Sequence, residues 1–366
     1  MLRERNTSAL SSCLKLFDVF VLLRLIVGAF IVPFVDGAYL DDVKRCIPVV
    51  TSDNSKSGNF TSPNYPRFYP QNTHCRYDFV GHANERVQIV FTDFNLFHPD
   101  DGFSQRDPDR PRNLKEIERS RRQRDLDCSA ADVDILSAFV YTNFEDKLAR
   151  IDDFCGSNPP LAVMSNRNRL TLELKAPSSS TYVRGFSALY RFVTDFGITN
   201  GRQDPHLPCR FYFHSNETSN GTFTSPNYPG LYPRDTECHY FFQGKENEHV
   251  ELHFTYFHID GVQPCDEDTY SDYVEFSNYI PTDRKYDRKC GTESGFKVRS
   301  DRKFFRVNFH SNDRYDATGF QATYQFSDKT NHLTIRNVRS ASEKFCVSSL
   351  SSPLVFLSFF TIFWGK

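Results

Sequence analysis

Gly58–Cys75, GNFTSPNYPRFYPQNTHC, returns 163 residues later as Gly221–Cys238, GTFTSPNYPGLYPRDTEC. Gly, Phe, Thr, Ser, Pro, Asn, Tyr, Pro, Tyr, Pro and Cys recur in register, with a further Thr just before the cysteine. A duplication at so long a period means two copies of one domain. The prolines of Ser62-Pro63-Asn64-Tyr65-Pro66 and Ser225-Pro226-Asn227-Tyr228-Pro229 fix their own φ angles and push the preceding residues extended. The stretch therefore reads as a structured loop feeding a strand, not as a helix.

Outward from the loop, the same offset aligns Val87, Ile89 and Phe91 with Val250, Leu252 and Phe254. Apolar residues alternate there with period two, the pattern of a half-buried antiparallel strand. Leu170, Leu172 and Leu174 alternate likewise in the first copy, as do Phe305, Val307 and Phe309 in the second, and GFSALYRF from Gly185 matches GFQATYQF from Gly319. The fold class is all-β: two tandem antiparallel β-sandwiches. The chain has 366 residues, room for two or three domains of about 100 to 200 residues each. A net charge of −2 gives no electrostatic reason to expect a nucleic acid partner, and the 36 phenylalanines are read as core packing.

Eight of the ten cysteines fall into two matching sets of four: Cys46, Cys75, Cys128 and Cys155, then Cys209, Cys238, Cys265 and Cys290. Even, repeated sets point to disulfides and an oxidising compartment. Each set allows three connectivities; pairing first with second and third with fourth closes short loops worth about 3 kcal/mol each in the chain-entropy account. Zinc is disfavoured, because no Cys-x-x-Cys pair exists.

Residues 1–38 have a basic start, an apolar run through Val19–Val35 and small residues at Gly37 and Ala38, and read as a secretory signal peptide. In a secreted chain Asn59, Asn216 and Asn220 are glycosylation acceptors. The first sandwich is placed at 46–193, a linker at 194–208 and the second sandwich at 209–327. A charged insertion at about 98–127 reads as a mobile surface loop. It contains Arg119-Ser120-Arg121-Arg122, which resembles a site for furin-like convertases. After a polar stalk and spacer at 328–352, the apolar tail 353–366 falls short of the roughly 20 residues a spanning helix needs. Ser340, Ala341 and Ser342 followed by that spacer and tail match a GPI-attachment signal.

The SPNYP loop followed by Tyr-Pro and a cysteine, the two sets of four cysteines and the closing Gly-Phe strand resemble the CUB domain family in both halves. The resemblance covers about 46–193 and 209–327. It implies a jelly-roll-like sandwich and disulfides in sequence order. Two CUB domains on a membrane-tethered chain are also similar to the suppressor-of-lurcher and neuropilin-and-tolloid-like proteins, which accompany ionotropic glutamate receptors. In the second copy the resemblance implies a calcium site of Asp260, Asp272 and Asp313, supported by Tyr232. Three converging carboxylates suit a hard cation and would otherwise repel one another. In the first copy Phe97 stands at the position of Asp260 and Ala176–Ser180 carries no acid, so no calcium is expected there.

No catalytic set emerges. His249-Val-Glu-Leu-His253 has two histidines at i and i+4, but a metalloprotease needs that spacing on a helix with the Glu next to the first His. On a strand the two lie about 13 Å apart at about 3.3 Å per residue. The expectation is a non-enzymatic, lipid-anchored cell-surface protein contacting the extracellular domain of a membrane receptor or channel, with a secreted adaptor that recruits an extracellular protease or ligand as the alternative.

Overall fold

The computed structural model describes residues 43–99, 127–130, 132–142, 147–266, 268–293 and 295–328. The signal peptide, Arg119–Arg122, Ser340–Ser342 and the apolar tail lie outside them. Each copy is a pair of sheets. In the first copy one sheet runs in the spatial order Val50–Thr51, Thr73–Val80, Arg169–Ala176, Ile135–Tyr141, Leu148–Phe154; the other runs Ser57–Thr61, Gly185–Val193, Arg86–Asn95, Val163–Met164. The second copy repeats this plan. Its first sheet is Arg202–Gln203, Arg210–His214, Thr236–Gln243, Phe304–Ser311, Tyr273–Ser277, and its second is Asn220–Thr224, Gly319–Asp328, Glu248–Ile259, Gly291–Glu293.

The pairing is antiparallel with one exception per copy. Val50–Thr51 runs parallel to Thr73–Val80, and Arg210–His214 parallel to Thr236–Gln243. The chain crosses to the opposite sheet between the members of each pair, so they enter their shared sheet in the same direction.

The alternating residues face the core as their period requires. Ile89, Leu172, Leu252 and Val307 are fully buried. After Phe91 and after Phe254 the register shifts by a β-bulge. Thr92 and Thr255 occupy the extra positions and donate their hydroxyls to the carbonyls of Ser187 (3.0 Å) and Gln321 (3.1 Å). The bulge resets the alternation, which is why Phe94 and Phe257, three positions beyond Phe91 and Phe254, are also buried.

The signature loop is fastened to the last strand by its serine. Ser62 Oγ accepts the Phe186 N–H (3.0 Å) and Ser225 Oγ accepts the Phe320 N–H (2.9 Å). The preceding Gly185 and Gly319 have φ of +81° and +78°, and a Cβ at either would stand 1.8 Å from that serine oxygen. The glycines are needed both for the left-handed backbone and for the close approach. Four disulfides, Cys46–Cys75, Cys128–Cys155, Cys209–Cys238 and Cys265–Cys290, close in sequence order.

Residues 194–208 are more than a spacer. Arg202–Gln203 adds an antiparallel edge strand to Arg210–His214, and Phe196 and Ile198 are buried in the core of the second copy. The second signature loop lies against the first copy. Asn227 Nδ2 donates to the Ala162 carbonyl (3.0 Å), Asn227 Oδ1 accepts from Gln88 Nε2 (2.7 Å), and the Leu231 N–H donates to Ala162 O (2.8 Å). Leu231, Ile151 and Met164 line one crevice at this joint. The equivalent loop of the first copy is open to solvent, with Asn64, Arg67 and Phe68 exposed.

Candidate functional site

The acids singled out in the second copy sit where strands end. Asp260 follows Glu248–Ile259, Asp272 precedes Tyr273–Ser277, and Asp313 lies in the loop after Phe304–Ser311. The Asp272 N–H donates to the Asp260 carbonyl (3.0 Å), bringing the first two together. Tyr232, from the signature loop, joins them: its hydroxyl donates to Asp272 Oδ2 (2.7 Å) and accepts the Asp260 N–H (3.0 Å). The Asn312 N–H donates to Asp272 Oδ1 (2.7 Å).

Burial first, and then the negative charges of Asp260 and Asp316, push the Asp272 carboxyl up to about 7, against the opposing pull of its hydrogen bonds. A buried carboxyl crowded by two others is donor chemistry that a hard cation relieves. The pair Asp260 and Asp272 fits such an ion in charge and type. The expected three-acid set does not form, however. Asp313 is exposed and its charge bears on Asp235, and among the described residues no three His, Cys, Asp or Glu side chains gather as a metal site. The reason is local: Asn312 Oδ1 accepts the Arg314 N–H (2.8 Å), closing a turn that presents the Asn312 amide, rather than the Asp313 carboxylate, to Asp272.

Asp316 is a further buried acid whose charge bears on Asp272. Burial raises its carboxyl to about 6 although Arg234 pulls the other way. Arg234 Nε donates to Asp316 Oδ1 (2.8 Å), while its terminal nitrogens reach the carbonyls of Arg150 (3.2 Å) and Ile151 (3.4 Å) in the first copy. The acidic edge is thus tied to the joint through one guanidinium. The signal in the sequence is Arg234 itself: an arginine in a proline-rich turn that the fold buries needs a counter-charge.

The first copy holds the same scaffold without the crowding. Tyr69 donates to Asp134 Oδ2 (2.6 Å) and accepts the Phe97 N–H (3.0 Å). The N–H groups of Ser178 and Ser179 each reach an Asp134 oxygen at 2.9 Å. Both oxygens are satisfied by protein donors, and Phe97 supplies no second carboxylate.

Around the second-copy acids the loops expose Val262, Tyr270 and Tyr315, at 69%, 62% and 67%. Arg314 lies 4.0 Å over the Tyr270 ring. His249 and His253 stay on their strand, opposite Ser327 and Thr323 in the register, and join no such group.

Residues 50–106 and 209–324 match the CUB domain family. Cubilin of Sus scrofa is 27% identical over 268 residues, which is 73% of this chain and 6% of cubilin. Neuropilin-2 of Rattus norvegicus is 27% identical over 278 residues, 74% of this chain and 25% of neuropilin-2. The chain therefore spans a minor part of these relatives' length. Among solved structures, a MASP-1 CUB2 domain bound to Ca2+ is 24% identical and covers 31% of this chain and 96% of its own, with a TM-score of 0.27. The CUB-domain match falls within both halves, each a two-sheet sandwich pinned by two disulfides.

Proposed function

We propose that this chain is a non-enzymatic binding protein of the cell exterior whose second CUB domain takes a lysine or arginine of a receptor or channel ectodomain at its acidic edge. The observation that carries this reading is the Asp260–Asp272 pair, held around Tyr232 and rimmed by exposed Val262, Tyr270 and Tyr315. Exposed aromatic side chains beside a charged centre are the composition of an interface hot spot, and carboxylates left short of positive charge favour a cationic group from the partner. Asp260 and Asp272 are also the residues that would hold calcium; bound there, the ion would supply positive charge between them. The disulfides support an oxidising compartment. Attachment at Ser340, Ala341 or Ser342 would hold it at the membrane, and an ionotropic glutamate receptor is one ectodomain of the proposed class.

The test is proximity labelling on cells carrying the full chain, comparing wild type with the Asp260→Asn/Asp272→Asn double variant, after phosphatidylinositol-specific phospholipase C has shown whether the chain is released. Expected are release by the lipase and a receptor or channel partner whose labelling the double variant loses. Labelling that the double variant leaves unchanged overturns the site. Recovery of the chain in the medium without lipase overturns the tether and favours the secreted adaptor.

A further inference from the structure

Where the two sheets of the second copy part, an open groove of about 630 Å³ is walled by Asn200, Arg202, Tyr212, His214 and Tyr324. Its volume falls in the range of about 300 to 1,000 Å³ that bound small molecules occupy. The rim is made by Glu217 and Thr218 on one side and by Asn220, Gly221 and Thr222, the whole of one glycosylation sequon, on the other. We infer that this groove is the seat of the N-linked glycan carried by Asn220, so that the proximal sugars lie against protein rather than in solvent.

Three observations and one general argument carry the inference. The walls are aromatic rings and polar groups, the surface a sugar presents complements to: Tyr212 stacks on His214 at 6.3 Å, with the Arg202 guanidinium 5.9 Å over the Tyr212 ring. The depth at the rim comes from glycine. A Cβ on Gly221 would meet Tyr324 Oη at 2.7 Å, and one on Gly201, with φ +83°, would meet the Phe213 ring at 2.6 Å. Asn200 Nδ2 donates to Thr222 Oγ1 (2.9 Å), joining the far wall to the sequon. A saccharide attached at the rim is also present at the millimolar effective concentration of a short tether, which a free ligand rarely matches.

The first copy supplies the contrast. Register places Ser57 where Asn220 stands, because each opens the strand that pairs with the last strand of its copy. Val49 and Thr51 stand in the places of Tyr212 and His214 at the same 163-residue offset. Tyr324 has its counterpart in Tyr190, against Gly58 as Tyr324 is against Gly221, but the Tyr212–His214 wall and the acceptor occur together in the second copy and are both missing from the matching positions of the first. Asn59 belongs to the first copy and serves as the internal control; Asn216 is not among the groove-lining residues, but Glu217 and Thr218 of its sequon are, so it is a comparison at the groove's edge.

The inference rests on Asn220 being occupied, and the experiment separates that from the seat. The full chain, secreted or shed from a glycosylating host, is treated with peptide N-glycosidase F in heavy-oxygen water, first native and then denatured, and the site-by-site release is followed by peptide mass spectrometry. Expected is occupancy at Asn220 with native release about tenfold slower than at Asn59, a difference of about 1.4 kcal/mol, that vanishes on denaturation. Tyr212→Ala should bring release at Asn220 to the Asn59 rate. Asn200→Ala, at an exposed position, tests the same wall should Tyr212→Ala fold poorly. An unoccupied Asn220 overturns the inference through its premise; an occupied Asn220 released as fast as Asn59 overturns the seat itself.

Discussion

Gly230 lies so close to Ala162 that a Cβ on it would stand 2.4 Å from the Ala162 carbonyl oxygen. That carbonyl belongs to backbone already bonded to Asn227 and Leu231, so it cannot move aside without breaking the joint between the copies. Gly230→Ala is therefore expected to destabilise the joint by about 1 to 3 kcal/mol. Hydrogen exchange checks it: the Leu231 amide, bonded to Ala162 O, should exchange faster while those of Thr236–Gln243 stay protected. Unchanged exchange at Leu231 would show that the joint absorbs the methyl group.

The acidic edge gives a pH dependence whose sign is fixed. Folded Asp272 holds its proton up to about 7, against 3.8 for an unperturbed Asp. Between about pH 4 and 7 the folded state thus binds more protons than the unfolded one, so this group's contribution to stability rises as pH falls and is complete below the unfolded value. In chelator, the stability advantage of Asp272→Asn over wild type should be larger at pH 8 than at pH 5. A difference independent of pH would refute the crowding of Asp272.

Calcium titration by calorimetry should distinguish the acids. Asp260→Asn and Asp272→Asn are each expected to weaken binding at least tenfold, about 1.4 kcal/mol, whereas Asp313→Asn changes it little and Asp134→Asn not at all. A loss at Asp313 equal to that at Asp272 would restore the three-acid reading and show that the loop after Ser311 rearranges around the ion.

Ser225→Ala strips the Phe320 N–H of its side-chain acceptor in a fully buried setting. Removing one partner of a buried hydrogen bond costs about 1 to 3 kcal/mol, and Ser62→Ala should cost the same in the first copy through Phe186. Urea unfolding measures both. Thr255→Ala, whose hydroxyl bonds at an exposed bulge, should cost less than either.

Much of this architecture was legible because it is written locally. The alternation at Val87–Phe91 and Val250–Phe254, the repeated SPNYP loop with its closing Gly-Phe strand and the matched cysteine sets each involve residue types whose chemistry leaves few other uses. The disulfide order followed from family resemblance, since spacing left three connectivities open. The bulges at Thr92 and Thr255 were not legible, because one inserted residue costs a strand nothing in composition and shows only as a phase change in burial. Phe196 and Ile198 were read as linker because two apolar residues among polar ones carry no period. The burial of Asp316 was not legible because its partner Arg234 is fixed by carbonyls of the first copy, 83 and 84 residues away in the chain. The groove beside Asn220 needed two sheets to be placed before any single residue in it had meaning.

At the position of Gly230 the first copy carries Arg67. Both sandwiches present the same loop, and a loop that can grip a sandwich edge at either end of a molecule is the head-to-tail arrangement from which open filaments grow. With Arg67 in place, the approach that Gly230 permits is sterically closed on the first copy. The close approach of Gly230 to Ala162 is thus written into one of the two repeated loops only, and a motif present twice joins the two copies once.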